Sequence, residues 1–199
     1  MARARKRPVE ILTEAEVNAL IRACSKRCPT GLRNRALIVL LYRTGIRVGE
    51  AVLLSPRDVD VERGTVQVLN GKGKRSRTVG LDEASLAILE HWLERRRELP
   101  GVMANSPLFC TLAGGRLSTN YARDMLRRKA RKAGIPKRVH PHGLRHSHAA
   151  ELAREGVPMN VIQAQLGHAS LSVTSAYLDH VAPVTLIETM RRRSWTPPT

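Results

Sequence analysis

Aromatic residues are scarce in this 199-residue chain, which has one phenylalanine, two tryptophans and three tyrosines. Any chemistry that needs a phenol is therefore a choice among Tyr42, Tyr121 and Tyr177. Cys24, Cys28 and Cys110 are too few and odd in number for a disulfide framework, and the lone Cys24-x-x-x-Cys28 pair lacks the second pair a zinc site requires. Reduced structural thiols are the expected state. No apolar run approaches the ~20 residues of a membrane span, and the basic start from Met1 to Arg7 lacks the apolar stretch of a signal peptide. A cytoplasmic protein with no membrane partner is expected. Internal repeats and low-complexity tracts are absent. So are a glycine-rich loop of the nucleotide-binding type and the carboxylate cluster of a two-metal nuclease.

Negative charge is also in short supply. Against 17 Asp and Glu stand 34 Lys and Arg, giving a formal net charge of +17 and a pI near 11.2. A field of that sign draws in polyanions, nucleic acid first among them. Arginine supplies 27 of the 34 positive residues, a bias that a GC-rich coding sequence also produces, so charge alone does not decide the partner.

With 42% hydrophobic residues, a chain of this length buries one substantial core. Thr13-Glu14-Ala15-Glu16 has capping-box spacing and opens a first helix. The run from Ala36 to Tyr42 is too apolar for a surface helix and predicts a core helix ending near Thr44-Gly45. A short helix is expected from Val48 to Leu54. The period then shortens: Val59 and Val61, Thr65 to Leu69, and Arg77 to Val79 predict three short strands, with turns at Arg63-Gly64 and Asn70-Gly71. Helices are expected again over 82–99, 118–133, 142–154, 158–166, 172–178 and 184–192. The fold class is α+β, mainly α, with a small three-stranded antiparallel sheet set among helices.

The chemistry lies in spacing. On a helix His142 shares a face with Arg145 and His146, three and four residues on, so an imidazole and a guanidinium can meet one ligand. Arginine's planar fork matches two phosphate oxygens and stays charged at any working pH, which makes a phosphodiester a natural occupant. Arg47 follows Gly45 and has Glu50 three residues on, where a carboxylate can hold its guanidinium. Lys72 sits between two glycines at a hairpin tip, with Lys74 close by. Each of these also reads as a solvated charge or an ordinary ion pair when taken alone. Tyr42 belongs to the apolar helix, and Tyr121 reads as packing or phosphate contact. Tyr177 is left, nine residues after His168, as a phenol that needs a nearby base or cations to attack anything at neutral pH.

Taken in order, Thr44 to Leu54, Asn70 to Leu81, Pro141 to Ala150 and Leu166 to Tyr177 resemble the successive signature segments of the tyrosine recombinases, the lambda-integrase-like DNA strand-exchange enzymes. The resemblance covers nearly the whole chain and implies the tyrosine-recombinase catalytic fold. It implies that Tyr177 attacks the scissile phosphate of double-stranded DNA, forming a 3′-phosphotyrosyl bond and freeing a 5′-hydroxyl. Arg47 and Arg145 would clamp the non-bridging oxygens. His142 would assist deprotonation of Tyr177, Lys72 would protonate the departing oxygen, and His168 would bind and orient the phosphate. Glu50 and His146 would support these groups from behind. Since the phosphotyrosyl bond conserves the energy of the broken phosphodiester, neither ATP, metal nor any other cofactor is implied.

The same resemblance divides the chain into a basic N-terminal arm (1–12), a catalytic domain (13–180) and a C-terminal helix and tail (181–199). Lys74, Arg75 and Arg77 on the hairpin, with Arg3, Arg5, Lys6 and Arg7 on the arm, are the expected DNA contacts. The family usually carries a separate N-terminal helical domain that grips the other face of the duplex. This sequence has no room for one, so a separate DNA-binding domain or accessory protein is an expected partner. The amphipathic stretch from Val184 to Met190 suggests docking on a neighbouring subunit in a homo-tetramer on paired DNA sites, or folding back on its own core. Strand relaxation of the type IB topoisomerase kind, a non-catalytic DNA-binding module, and a metal site built from His140, His142, His146 and His148 are the other readings.

Overall fold

A computed structural model of the chain describes residues 10–69 and 76–167. In chain order the described elements are α1 (Glu14–Arg22), α2 (Pro29–Thr44), α3 (Val48–Ala51), a 3-10 turn (Pro56–Asp58), β1 (Val59–Asp60), β2 (Thr65–Val68), β3 (Arg77–Gly80), α4 (Glu83–Arg97), α5 (Thr119–Lys132), α6 (Pro141–Arg154) and α7 (Met159–Leu166). Among the described residues, no helix is long and apolar enough to cross a membrane.

Local sequence sets most of the helix starts. Thr13 caps α1 in a reciprocal box, its hydroxyl accepting from Glu16 N while Glu16 Oε2 accepts from Thr13 N at 2.7 Å. Asp82 caps α4 and Ser118 caps α5, each accepting from the N–H three residues on. At α6 the cap is His140, whose Nδ1 accepts from Gly143 N at 3.1 Å, with Pro141 as the first helical residue. The short helix expected to run to Leu54 ends at Ala51. Beyond it Leu54 is buried and its carbonyl accepts from Leu108 N at 2.7 Å, so the chain leaves helical geometry to make a tertiary bond.

α2 is the pillar of the core. Leu32, Ala36, Leu37, Ile38, Val39, Leu40, Leu41 and Tyr42 are all buried, because α4 and α6 both pack on it along with α1. The sheet has the order β1-β2-β3, antiparallel throughout, with Val66 opposite Val59 on one side and Val79 on the other. Val66, Val68 and Val79 face the core. At the β3 edge, Gln165 of α7 takes both backbone groups of Gly80: its Oε1 accepts from Gly80 N and its Nε2 donates to Gly80 O, each at 3.2 Å. A side chain thus fills the place of a further strand and ties the sheet to α7.

Arg33 and Arg96 are buried in the interior. Arg33 donates to Cys110 O at 2.8 Å and to the Tyr121 hydroxyl, and Arg96 donates to the carbonyls of Pro107 and Ser106. Part of the positive composition therefore holds loops together and does not face a partner. Tyr121 is a packing residue, lying under the guanidinium of Arg33 at 5.0 Å and that of Arg128 at 5.9 Å. All three cysteines are free; Cys24 and Cys110 are buried, while Cys28, expected to be structural, is exposed. Glu10 to Leu12, assigned to the arm by the sequence, are packed on the body. Glu10 Oε2 accepts from Arg138 N at 2.6 Å, and Leu12 N donates to Ser147 Oγ at 2.8 Å.

Candidate active site

The end of α2 and the start of α3 place Arg47. Gly45 closes α2 in the left-handed region, φ 62°, and a Cβ there would lie 2.5 Å from Leu166 Cδ2 and 2.9 Å from His148 Cδ2. Only glycine makes this turn and allows so close an approach. The chain then enters α3 with Arg47 at the cap position, where Glu50 Oε2 accepts from Arg47 N at 2.8 Å and Oε1 accepts from Arg47 Nη1 at 3.1 Å. The i,i+3 pairing expected from sequence is present, and half of the Arg47 side chain stays exposed.

The same carboxylate holds a second arginine. Arg77 Nη1 and Nη2 donate to Glu50 Oε1 and Oε2 at 3.1 and 2.8 Å, and both side chains are nearly buried. Burial pushes the Glu50 carboxyl up, but Arg77 and Arg47 outweigh it and hold the group below its ordinary value. Sequence reasoning counted Arg77 among the DNA contacts. The structure lays its fork on a carboxylate 27 positions away.

α6 supplies the other half. Arg145 is buried, donating from Nη1 to Gly45 O and from Nη2 to Leu166 O at 2.8 Å. It therefore joins the ends of α2 and α7 while lining the cleft described next. His142, three residues earlier, is exposed, and the ring of His146 meets it edge-on with centroids 4.2 Å apart. His146 itself is buried, so the contact fixes the orientation of His142.

Arg47, His142 and Arg145 share a cleft of about 320 Å³. Its lining includes four arginines, Arg47, Arg123, Arg138 and Arg145, and two histidines, His140 and His142, with no carboxylate. Partial desolvation, and then the charges of Arg145, His140 and Arg47, lower the pKa of His142. His140 is shifted the same way by desolvation and Arg138, against an opposing pull from Glu10. Both imidazoles are thus favoured in the neutral form, within a field that attracts anions.

Three sequence-chosen residues, Arg47, His142 and Arg145, converge in this cleft, with Glu50 and His146 behind them. Lys72, Lys74, Arg75, His168, Tyr177 and the arm residues Arg3, Arg5, Lys6 and Arg7 lie outside the described residues, as do the expected helices at 172–178 and 184–192. Sequence reasoning missed Arg123, Arg138 and His140 as cleft residues. Only His140 had a local signal, its place directly before a proline that starts a helix. Among the described residues, no group of three or more His, Cys, Asp or Glu is arranged to hold a metal ion.

Comparison with known proteins follows the same outline. The model of the phage integrase family matches residues 10–182. The tyrosine recombinase XerD of Xanthomonas campestris is 39% identical over 178 residues, covering 83% of this chain and 54% of that protein. XerD of Mycobacterium leprae is 41% identical over 175 residues, covering 83% and 55%. The crystal structure of XerA recombinase superposes with a TM-score of 0.83 at 33% identity, over 94% of this chain and 66% of that one. A XerH site-specific recombinase bound to its palindromic difH substrate superposes at 0.76 with 29% identity, over 92% and 53%. The chain spans little more than half the length of the XerD relatives it matches.

Proposed function

Because the chain belongs to the phage integrase family, we propose that it cuts and rejoins double-stranded DNA as a site-specific recombinase, through a covalent phosphotyrosyl intermediate. The observation that carries this reading is the carboxylate-free cleft in which Arg47, His142 and Arg145 meet. A phosphodiester brings one negative charge, and the charge on its non-bridging oxygens grows as a nucleophile adds. Two guanidiniums and a neutral imidazole in one cleft suit that change: the cations stabilise the developing charge, and the imidazole takes the proton of the attacking hydroxyl.

Tyr177 is the proposed nucleophile. Its oxygen bonds to phosphorus, the bond to the 5′-oxygen breaks, and that oxygen leaves with a proton from Lys72. His142 takes the phenolic proton, and His168 binds the phosphate. Attack by a 5′-hydroxyl reverses each step and releases the tyrosine, so rejoining needs no activated cofactor. Strand exchange also requires two paired sites, and the proposed working form is four copies on two duplexes, assisted by a separate DNA-binding domain or accessory protein.

The test mixes wild-type and Tyr177→Phe protein with a library of nicked duplexes, stops the reaction with detergent and sequences the DNA that remains covalently attached. A nick lets the cut end diffuse away and traps the adduct. Capture by wild type alone is expected, with a preferred cleavage position. Equal capture by both proteins would remove Tyr177 from its role, and ordinary duplex binding with no capture would leave a DNA-binding module.

A further inference from the structure

The cleft holds more positive charge than one phosphate group requires. Arg47 is already paired with Glu50, and Arg145 has two nitrogens on backbone carbonyls. Arg123 and Arg138 are different. Both are exposed, neither has an ion pair among the described residues, and they reach the cleft from separate elements, Arg123 from α5 and Arg138 from the segment before α6. Arg123 Nη1 donates to the neutral Asn120 Oδ1 at 2.7 Å. The nearby acid, Glu10, takes the backbone N–H of Arg138 and leaves its guanidinium without a carboxylate. His140 stands beside Arg138, its Nδ1 committed to the Gly143 N–H, so in the neutral ring the hydrogen lies on Nε2 as a donor.

We propose that Arg123 and Arg138 form a second phosphate subsite of the cleft, holding the DNA phosphate next to the one taken by Arg47, His142 and Arg145. This rests on the DNA reading above and adds a division of labour within it. Phosphates follow one another every ~3.4 Å of helix axis along a strand, so a cleft that receives one brings its neighbour within reach of the walls. Side chains that hold the neighbouring phosphate carry no part of the bond change. They fix the register of the strand, so that the scissile phosphorus lies in line with its nucleophile.

The salt dependence of duplex affinity counts such contacts, because log K falls with log salt at a slope of about 0.9 for each phosphate neutralised. The affinity of a short mixed-sequence duplex would be measured across a salt series for wild type, Arg123→Gln/Arg138→Gln, Arg47→Gln and the triple variant. The double variant is expected to flatten the slope by about 0.9 and Arg47→Gln by no more than that, since Arg145 still faces the same phosphate, with the triple variant losing the sum of the two, as for separate phosphates. Arg123→Lys/Arg138→Lys should keep the wild-type slope. The control Arg63→Gln/Arg95→Gln, which alters exposed arginines outside the cleft, should keep it too. A double variant indistinguishable from this control overturns the subsite. So does a triple variant that loses no more than Arg47→Gln alone, since the cations would then share one phosphate. A wild-type protein whose duplex affinity hardly responds to salt would instead remove the DNA reading itself.

Discussion

Arg77 lays both terminal nitrogens on the carboxylate of Glu50, at 3.1 and 2.8 Å, and that carboxylate also accepts two hydrogen bonds from Arg47. One acid therefore connects strand β3 to the cleft arginine. Glu50→Gln keeps the shape of the side chain but removes its charge, and its amide nitrogen can no longer accept. The expected cost is about 3 kcal/mol of stability, since an almost buried guanidinium loses its counter-charge. Under the proposed chemistry, single-turnover cleavage should also slow by ~10-fold or more because Arg47 loses its support, while duplex affinity changes little. Unfolding midpoints and capture rates on a nicked duplex would read the two effects separately. Full-rate cleavage by a destabilised variant would make Glu50 a purely structural residue.

Gly167 carries this arrangement to the end of α7. Its φ is 66°, and a Cβ added there would lie 2.6 to 2.7 Å from Nε, Cδ and Cζ of Arg77. Gly167→Ala should therefore cost about 1 kcal/mol for the left-handed backbone and a further amount for displacing Arg77 from Glu50. The second part disappears once Arg77 is shortened. In an Arg77→Ala background, Gly167→Ala should cost only the backbone part, a non-additivity that denaturant unfolding of the four proteins would measure. Equal costs in both backgrounds would mean that Arg77 moves aside freely.

What the sequence made legible was local. Thr13 with Glu16, Asp82, Ser118 and the αL Gly45 each act within a few residues, so their roles follow from spacing. Arg47 with Glu50, and His142 with Arg145 and His146, were legible for the same reason, each set lying on a single helical turn. The pairing of Arg77 with Glu50 was not legible because the two lie 27 positions apart, and nothing local separates an arginine bound to a carboxylate from one facing solvent. Arg123 was hidden in the same way. On the amphipathic α5 it occupies the polar face, and only the packing of α5 against α3 and α6 turns that face into a wall of the cleft. Nothing local marked Arg33 and Arg96 as internal, because their carbonyl partners come from loops folded over them.

Cys28 should be the reactive thiol among the described residues. It is exposed at the start of α2, and contacts from the Ser25 and Thr30 hydroxyls bring its pKa down to about 7. Burial raises the Cys24 thiol, and Cys110 is buried as well. Alkylation of the folded protein is therefore expected to modify one residue, Cys28, at a rate that reaches half its maximum near pH 7. Peptide mapping after brief iodoacetamide treatment would identify it, and labelling of Cys24 or Cys110 at the same rate would contradict the burial.

His148 gives the fold an acid sensitivity of defined sign. It is 3% exposed, and neither ring nitrogen has a hydrogen-bond partner among the described residues. Burial first, and then the charges of Arg43 and Arg145, lower its pKa from 6.5 to about 4. The unfolded chain therefore binds the proton more tightly than the folded one. As pH falls from about 6.5 to about 4, protonation favours the unfolded chain and stability is lost; above that window the group makes no difference, and below it the loss is complete. The gap between the two values is worth about 3 kcal/mol. His148→Leu removes the titration without sacrificing a hydrogen bond, so near neutral pH it should be as stable as wild type or more so. Denaturant unfolding at neutral pH and near pH 4 should show wild type losing about 3 kcal/mol more than the variant. Parallel losses in the two proteins would place the acid sensitivity on other groups.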